Sequence, residues 1–109
     1  MSLYNDIRTK IEGSRTKQVK HSYACYWHIL DENTIALRHH NTDIIKLDRR
    51  MYATLDNGGW YSVTTKKKLN SVLKQFGVSI VQQNFVWYIC YGSRLLRNTE
   101  WKNGIVLSV

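Results

Sequence analysis

The sequence predicts an α+β fold, in which an antiparallel sheet of about six strands is packed by one main helix at about residues 65–76. Runs rich in β-branched and aromatic residues alternate with short turn signals, as in a β-meander. One segment instead carries apolar residues at helical spacing, and 109 residues are enough for one hydrophobic core. We therefore expect one domain over residues 1–109, with an N-terminal helix or arm at 1–18, a sheet-and-helix core at 19–96, and a C-terminal strand or tail at 97–109.

The first half of the chain predicts a short helix followed by strands. Leu3, Ile7 and Ile11 recur at i, i+4 and i+8, and Gly13 ends that pattern. Turn signals then separate runs in which apolar and polar residues alternate, such as Ile35 to Leu37. Four antiparallel strands are predicted here, at residues 20–30, 34–39, 42–47 and 51–55.

The second half predicts the main helix and a hairpin. Apolar residues at i, i+3, i+4 and i+7 begin at Leu69, Thr64 or Thr65 is the expected N-cap, and Gly77 is the expected stop. The remaining predicted strands are at residues 78–82 and 85–91, turning about Gln83-Asn84, and at residues 104–109.

The charge of the chain favours an anionic partner. The net charge is +8, and no acidic residue occurs between Asp56 and Glu100. Nucleic acid or a phosphorylated ligand therefore ranks ahead of a membrane surface, although the same lysines could simply be solvated. No apolar run is long enough for a membrane span and the N-terminus does not resemble a signal peptide, so an intracellular protein is expected. Cys25 and Cys90 are expected to be buried thiols.

A phosphate-binding site is predicted where the main helix begins. The glycine turn before Trp60 leads through Thr64 and Thr65 into three lysines, which oppose the helix dipole unless an anion is bound. The alternative interpretation is an exposed turn with Trp60 packed in the core under the helix. The predicted phosphate- or nucleic-acid-binding residues are Trp60, Tyr61, Thr64, Thr65, Lys66, Lys67, Lys68, Arg94 and Arg97.

A second polar set, Arg38, His40, Thr42 and Asp43, is a possible additional site. His40 to Thr42 forms a single H-x-T motif, whereas the two-histidine phosphoesterases use a pair of such motifs. His39 and His40 are expected on opposite faces of a strand, which makes them poor joint metal ligands unless a turn separates them. We therefore predict no catalytic residue, no metal and no cofactor. Trp27 and Trp87 are expected in the core, while other rings could stack bases beside the lysines.

Several motifs resemble a family of small bacteriophage-encoded proteins of unknown function. In that family a TDI strand precedes a GGW-x-T-x-TTK turn and a helix with an Asn, which is similar to residues 40–45, 55–66 and 69–70. The glutamine-containing strand at 81–83 and the Trp-Tyr strand at 86–89 also match.

The resemblance covers about residues 14–90 and departs from the family pattern at Ser62, where Thr is usual, and in a longer C-terminal tail. It implies a viral source and expression in the cytoplasm of an infected bacterium.

The leading functional hypothesis is a small basic phage protein without enzymatic activity, which binds nucleic acid or a phosphate-bearing ligand through the helix start and its lysines. One alternative is an inhibitor or adaptor that binds a host protein, such as a defence nuclease or a polymerase, through an uncovered strand edge at residues 104–109. A weaker alternative is a phosphoesterase or nucleotide-sequestering protein built around His40 and Thr42. No membrane partner is expected.

Overall fold

The computed structural model of the chain describes residues 2–91 and 99–109. A 3₁₀ turn at Lys74–Phe76 extends the second helix. The helices and strands of the described residues are, in chain order, α1 (Leu3–Glu12), β1 (Gln18–Ser22), β2 (Cys25–Asp31), β3 (Thr34–His39), β4 (Thr42–Asp48), β5 (Tyr52–Leu55), α2 (Val63–Leu73), β6 (Val78–Gln83), β7 (Val86–Tyr91), β8 (Thr99–Glu100) and β9 (Ile105–Ser108).

The described strands form two antiparallel sheets. The larger has six strands in the order β1-β2-β3-β4-β5-β9, and the smaller has three in the order β6-β7-β8. The predicted α+β class with a short N-terminal helix is confirmed. The hairpin of residues 78–91 does not belong to the larger sheet. Its strand β7 pairs with β8 in the smaller sheet.

One predicted strand, at residues 20–30, is wrong in the structure. A tight hairpin at Tyr23-Ala24 divides it into β1 and β2, and Ala24 adopts a left-handed φ of 55°. The sequence has no Gly, Asn, Asp or Pro at this turn, which are the residues that normally signal one. No residue of this stretch therefore indicated a turn.

Local capping decides where α2 begins. The N-cap is Ser62, with φ −93° and ψ 156°, and its hydroxyl accepts a hydrogen bond of 3.1 Å from the amide of Thr65. The prediction of Thr64 or Thr65 as the cap is therefore wrong, because both residues already lie inside the helix. Gly77, at φ 72°, ends the helical segment as predicted.

The hydrophobic core draws side chains from both helices and both sheets. Trp27 and Trp87 are buried in it, as predicted, and both cysteines are buried. Asn70 of α2 fixes the helix to the smaller sheet, since its side chain donates to the carbonyl of Ile80 at 3.0 Å and accepts from the amide of Ile80 at 2.6 Å. This pair of bonds joins α2 to the first strand of the smaller sheet.

Candidate functional site

A cleft of about 410 Å³ opens where the β3–β4 turn meets the turn that precedes α2. Neither of the two turns has an acidic side chain in the cleft wall. The lining residues are His39, His40, Asn41, Thr42, Ile44, Asn57, Trp60, Ser62, Thr64 and Thr65.

The turn before α2 is held close to β4 by its glycine. Gly58 has φ +63°, and a Cβ built on it would overlap the side chain of Thr42. The carboxylate of Asp56 accepts from the amide of Gly58 at 2.6 Å, and Asn57 Oδ1 accepts from the amide of Gly59 at 2.9 Å. These bonds close the turn locally and place Trp60 at the entrance to the cleft.

The first turn of α2 forms one wall of the cleft. The amides of Val63 and Thr64 are the first two of the helix, and the described residues give them no acceptor. No acidic residue lies in this first turn. The buried hydroxyl of Thr65 is 2.9 Å from that of Ser62, and the exposed Thr64 lines the cleft. A helix start of this kind favours a negatively charged group.

His39 and His40 line the cleft together because a turn begins between them, which is the exception that the prediction allowed. Strand β3 ends at His39, so His40 belongs to the turn, where its φ is 55° and its ring centre lies 4.3 Å from that of His39. Burial lowers the pKa of His39, as do the nearby His40 and Lys68, while the Ala24 backbone acts in the opposite direction. His39 is therefore neutral at neutral pH.

Five of the residues predicted from the sequence meet in this cleft. They are His40, Thr42, Trp60, Thr64 and Thr65. Trp60 is 70% exposed, so the interpretation that it packs in the core under the helix is wrong. The two predicted sets, one from the β3–β4 turn and one from the helix start, are thus partly a single site.

The three predicted lysines of α2 and Tyr61 do not line the cleft. Lys68 Nζ donates to Ser22 Oγ at 2.7 Å, and neither Lys66 nor Lys67 lines the cleft. Tyr61 packs edge-on against Trp87, with ring centres 5.1 Å apart. The remaining predicted residues of this set, Arg94 and Arg97, lie outside the described residues.

Arg38 and Asp43 are separated from His40 and Thr42. They lie on the outer face of the larger sheet, where Asp43 Oδ1 is 2.7 Å from His28 Nε2 and 3.5 Å from Arg38 Nη1. A bulge in the β3–β4 pairing turns Asp43 to this face. The four residues therefore do not form one polar site.

Five of the lining residues were not among the predicted site residues, and two of these five have a buried side-chain nitrogen without a partner in the described part of the chain. Asn57 and His39 are both buried, and Asn57 Nδ2 and His39 Nδ1 have no hydrogen-bond partner within the described residues. Asn57 could have been noticed only as part of the Asp-Asn-Gly-Gly turn, and nothing in the local pattern distinguishes His39 from an ordinary strand residue.

Neither a metal centre nor a membrane-spanning helix is found in the described ranges. No three His, Cys, Asp or Glu side chains there are grouped so that they could hold a metal ion. No helix within residues 2–91 and 99–109 is long and apolar enough to cross a membrane.

A family model described as Kyanoviridae Gp96 protein matches residues 6–108. The chain belongs to this family. The Kyanoviridae Gp96 proteins are phage proteins, which confirms the phage relationship implied by the resemblance; the particular TDI and GGW motif stays a prediction. Comparison with the curated proteins and with the solved structures found no match. Membership of this family thus shows that the chain is a phage protein.

Proposed function

We propose that this Kyanoviridae Gp96 protein binds single-stranded nucleic acid without catalysing a reaction, in the cytoplasm of the infected bacterium. The observation that carries the proposal is the cleft at the start of α2. There Thr64, whose amide has no acceptor within the described residues, and the exposed ring of Trp60 line one cleft with no acidic side chain in its wall. The amide of Val63, also without such an acceptor, is next to Thr64 at the helix start. The donors at the helix start match a phosphate group, and the exposed ring of Trp60 matches an adjacent base.

The charge around the cleft supports a phosphate backbone as the ligand. Lys66, Lys67 and Lys68 follow the first residues of α2 and work against its dipole, which favours anions at that end. A bound phosphate offsets this repulsion. The charge of Lys68 already acts on His39 inside the cleft, where it contributes to the lowered pKa. The positive field of the helix start therefore reaches the proposed binding site.

Exposed rings beside the cleft support a single strand over a duplex. Trp60 and Tyr61 are neighbours in sequence, and Tyr61 lines a shallow depression together with Phe85, which is 92% exposed. Phe85 occupies the hairpin turn with φ 67°, a conformation that a bulky residue rarely adopts. Unpaired bases stack on exposed rings with little dependence on sequence, whereas paired bases in a duplex are not free to do so.

The direct test is a fluorescence-anisotropy titration with labelled single- and double-stranded DNA and RNA, at low and at near-physiological salt. We expect single strands to bind more tightly than duplexes, with an affinity that falls steeply as salt is raised. A protein that binds neither form at low salt, or binds duplex better, would contradict the proposal.

A host protein is a second candidate partner because no described strand covers one edge of the larger sheet. Strand β9 pairs with β5 on one side and is the last strand in the described sheet order. A partner strand could add to this edge. The test is co-purification from host lysate, where a single stoichiometric protein that survives nuclease and high salt supports this candidate. Val106→Lys, at an exposed position of β9, should then reduce the recovery of that protein.

A further inference from the structure

Asn57 carries a buried hydrogen-bond donor that the described protein does not use. The residue is 1% exposed, and its Oδ1 accepts from the amide of Gly59 at 2.9 Å. Because an amide N–H can bond only to an acceptor, this contact fixes which side-chain atom is the oxygen. The remaining atom, Nδ2, is buried without a partner. Its two N–H groups thus have no acceptor within the described residues, although Asn57 lines the cleft.

His39 presents a second such atom in the wall of the same cleft. The side chain is 7% exposed, and Nδ1 has no partner within the described residues. Most buried polar atoms in folded proteins are hydrogen-bonded, because leaving one unpaired costs about 1–3 kcal/mol. Two unpaired nitrogens in one cleft indicate a ligand with polar atoms at its edge, rather than an apolar one.

The rest of the cleft matches a flat ring attached to an anion. Trp60 supplies an exposed aromatic face at the entrance, and Ile44 supplies an apolar surface inside. Thr64 lines another wall, where its amide supplies a donor for an anion, and the amide of Val63 precedes it at the helix start. The volume of about 410 Å³ lies within the range of small-ligand sites.

We propose that the cleft holds one unstacked nucleotide of a bound strand. Its phosphate lies at the amides of Val63 and Thr64, its base stacks on Trp60, and the edge of the base bonds to Asn57 Nδ2 and His39 Nδ1. Nucleobases fit this pair of atoms because they carry donors and acceptors side by side on their edges. This inference rests on the proposed function, to which it adds that the protein recognises a base as well as the backbone.

The first experiment compares a short single strand with the same strand in its abasic form, by anisotropy at one salt concentration. The two strands have the same phosphate charge, so a difference in affinity measures the contribution of the bases. We expect the abasic strand to bind about tenfold more weakly. Equal affinity for both strands would overturn the base pocket and leave the proposed function standing. If neither strand binds, both proposals fail.

The second experiment uses two replacements of His39 that differ in which ring nitrogen they imitate. His39→Asn keeps a polar atom near the position of Nδ1, whereas His39→Gln places one near Nε2 instead. We expect His39→Asn to keep most of the affinity ratio between the ordinary and abasic strands, and His39→Gln to reduce that ratio towards one. A merely structural role would lower the affinity for both strands alike, so an unchanged ratio in both variants would overturn the assignment of His39.

Discussion

Gly58 packs directly against the side chain of Thr42, so closely that any Cβ at position 58 would overlap it. Thr42 is the first residue of β4, and Gly58 lies in the turn before α2. The contact therefore holds the turn before α2 against the first residue of β4, which lines the cleft.

Gly58→Ala should lower the free energy of unfolding more than Gly59→Ala does. Both positions have positive φ and each replacement costs about 1 kcal/mol for that reason. Only at Gly58 does the new methyl group meet Thr42, which adds about 1–3 kcal/mol of overpacking. Urea unfolding of the two variants measures the difference. Thr42→Ala combined with Gly58→Ala should recover part of the loss, and equal unfolding free energies for the two glycine variants would contradict the contact.

Trp60→Ala should weaken binding of a single strand without unfolding the protein. The side chain is largely exposed, so its removal leaves the core intact, while the loss of one stacked base costs about tenfold in affinity. Anisotropy gives the affinity and thermal unfolding gives the control. Tyr52→Ala removes an exposed ring that does not line the cleft, and we expect it to bind like the unchanged protein. Similar weakening by both variants would mean that the stacking surface lies elsewhere.

Replacement of Lys66, Lys67 and Lys68 together by Ala should flatten the salt dependence of binding. If each lysine neutralises one phosphate, the slope of log affinity against log salt becomes shallower by about 2 for a single strand. The matched control replaces Lys46, Arg49 and Arg50, which removes the same charge from β4 and the turn after it instead of from the start of α2. A control with an equally flattened slope would show that net charge alone, and not the start of α2, governs binding.

Acidification should destabilise the protein through two histidines. Burial lowers the pKa of His39 and of His21, with Lys68 acting on both and His40 acting on His39. Above about pH 6.5 both rings are neutral in the folded and unfolded states, so neither affects stability. Below about pH 6.5 these two histidines bind protons more readily in the unfolded chain than in the folded chain, so the free energy of unfolding falls.

Urea unfolding at about pH 7.5 and about pH 5 measures this loss. The double variant His21→Gln, His39→Asn should lose less stability over the same interval. A double variant that loses stability as steeply as the unchanged protein would assign the effect to other groups.

The spacing of apolar residues predicted most of the helices and strands, because this spacing depends only on residues that are close in sequence. Leu69, Val72 and Leu73 face the core from α2 as their spacing requires. The hairpin at Tyr23-Ala24 could not be predicted, because its left-handed residue is an Ala held by the pairing of β1 with β2. The second sheet likewise includes a pairing between β7 and β8, two strands that are separated in sequence, which no local pattern encodes.

The site was harder to predict than the fold because tertiary contacts assemble it. Trp60 and Thr64 were found from their position before the helix, and His40 from its short motif, but only the fold brings the two groups into one cleft. The bulge in β4 moves Asp43 to the other face of the sheet, which an uninterrupted alternation does not indicate. Asn57 emerges as a binding residue only once its burial and its free nitrogen are known.

The most direct test of the cleft is an NMR titration of ¹⁵N-labelled protein with a short single-stranded oligonucleotide. We expect the largest shifts at the amides of Val63 and Thr64, the side-chain amide of Asn57 and the indole N–H of Trp60. If these four signals stay in place while residues on the outer sheet face, such as Lys46, shift on binding, the cleft at the start of α2 is not where the strand binds.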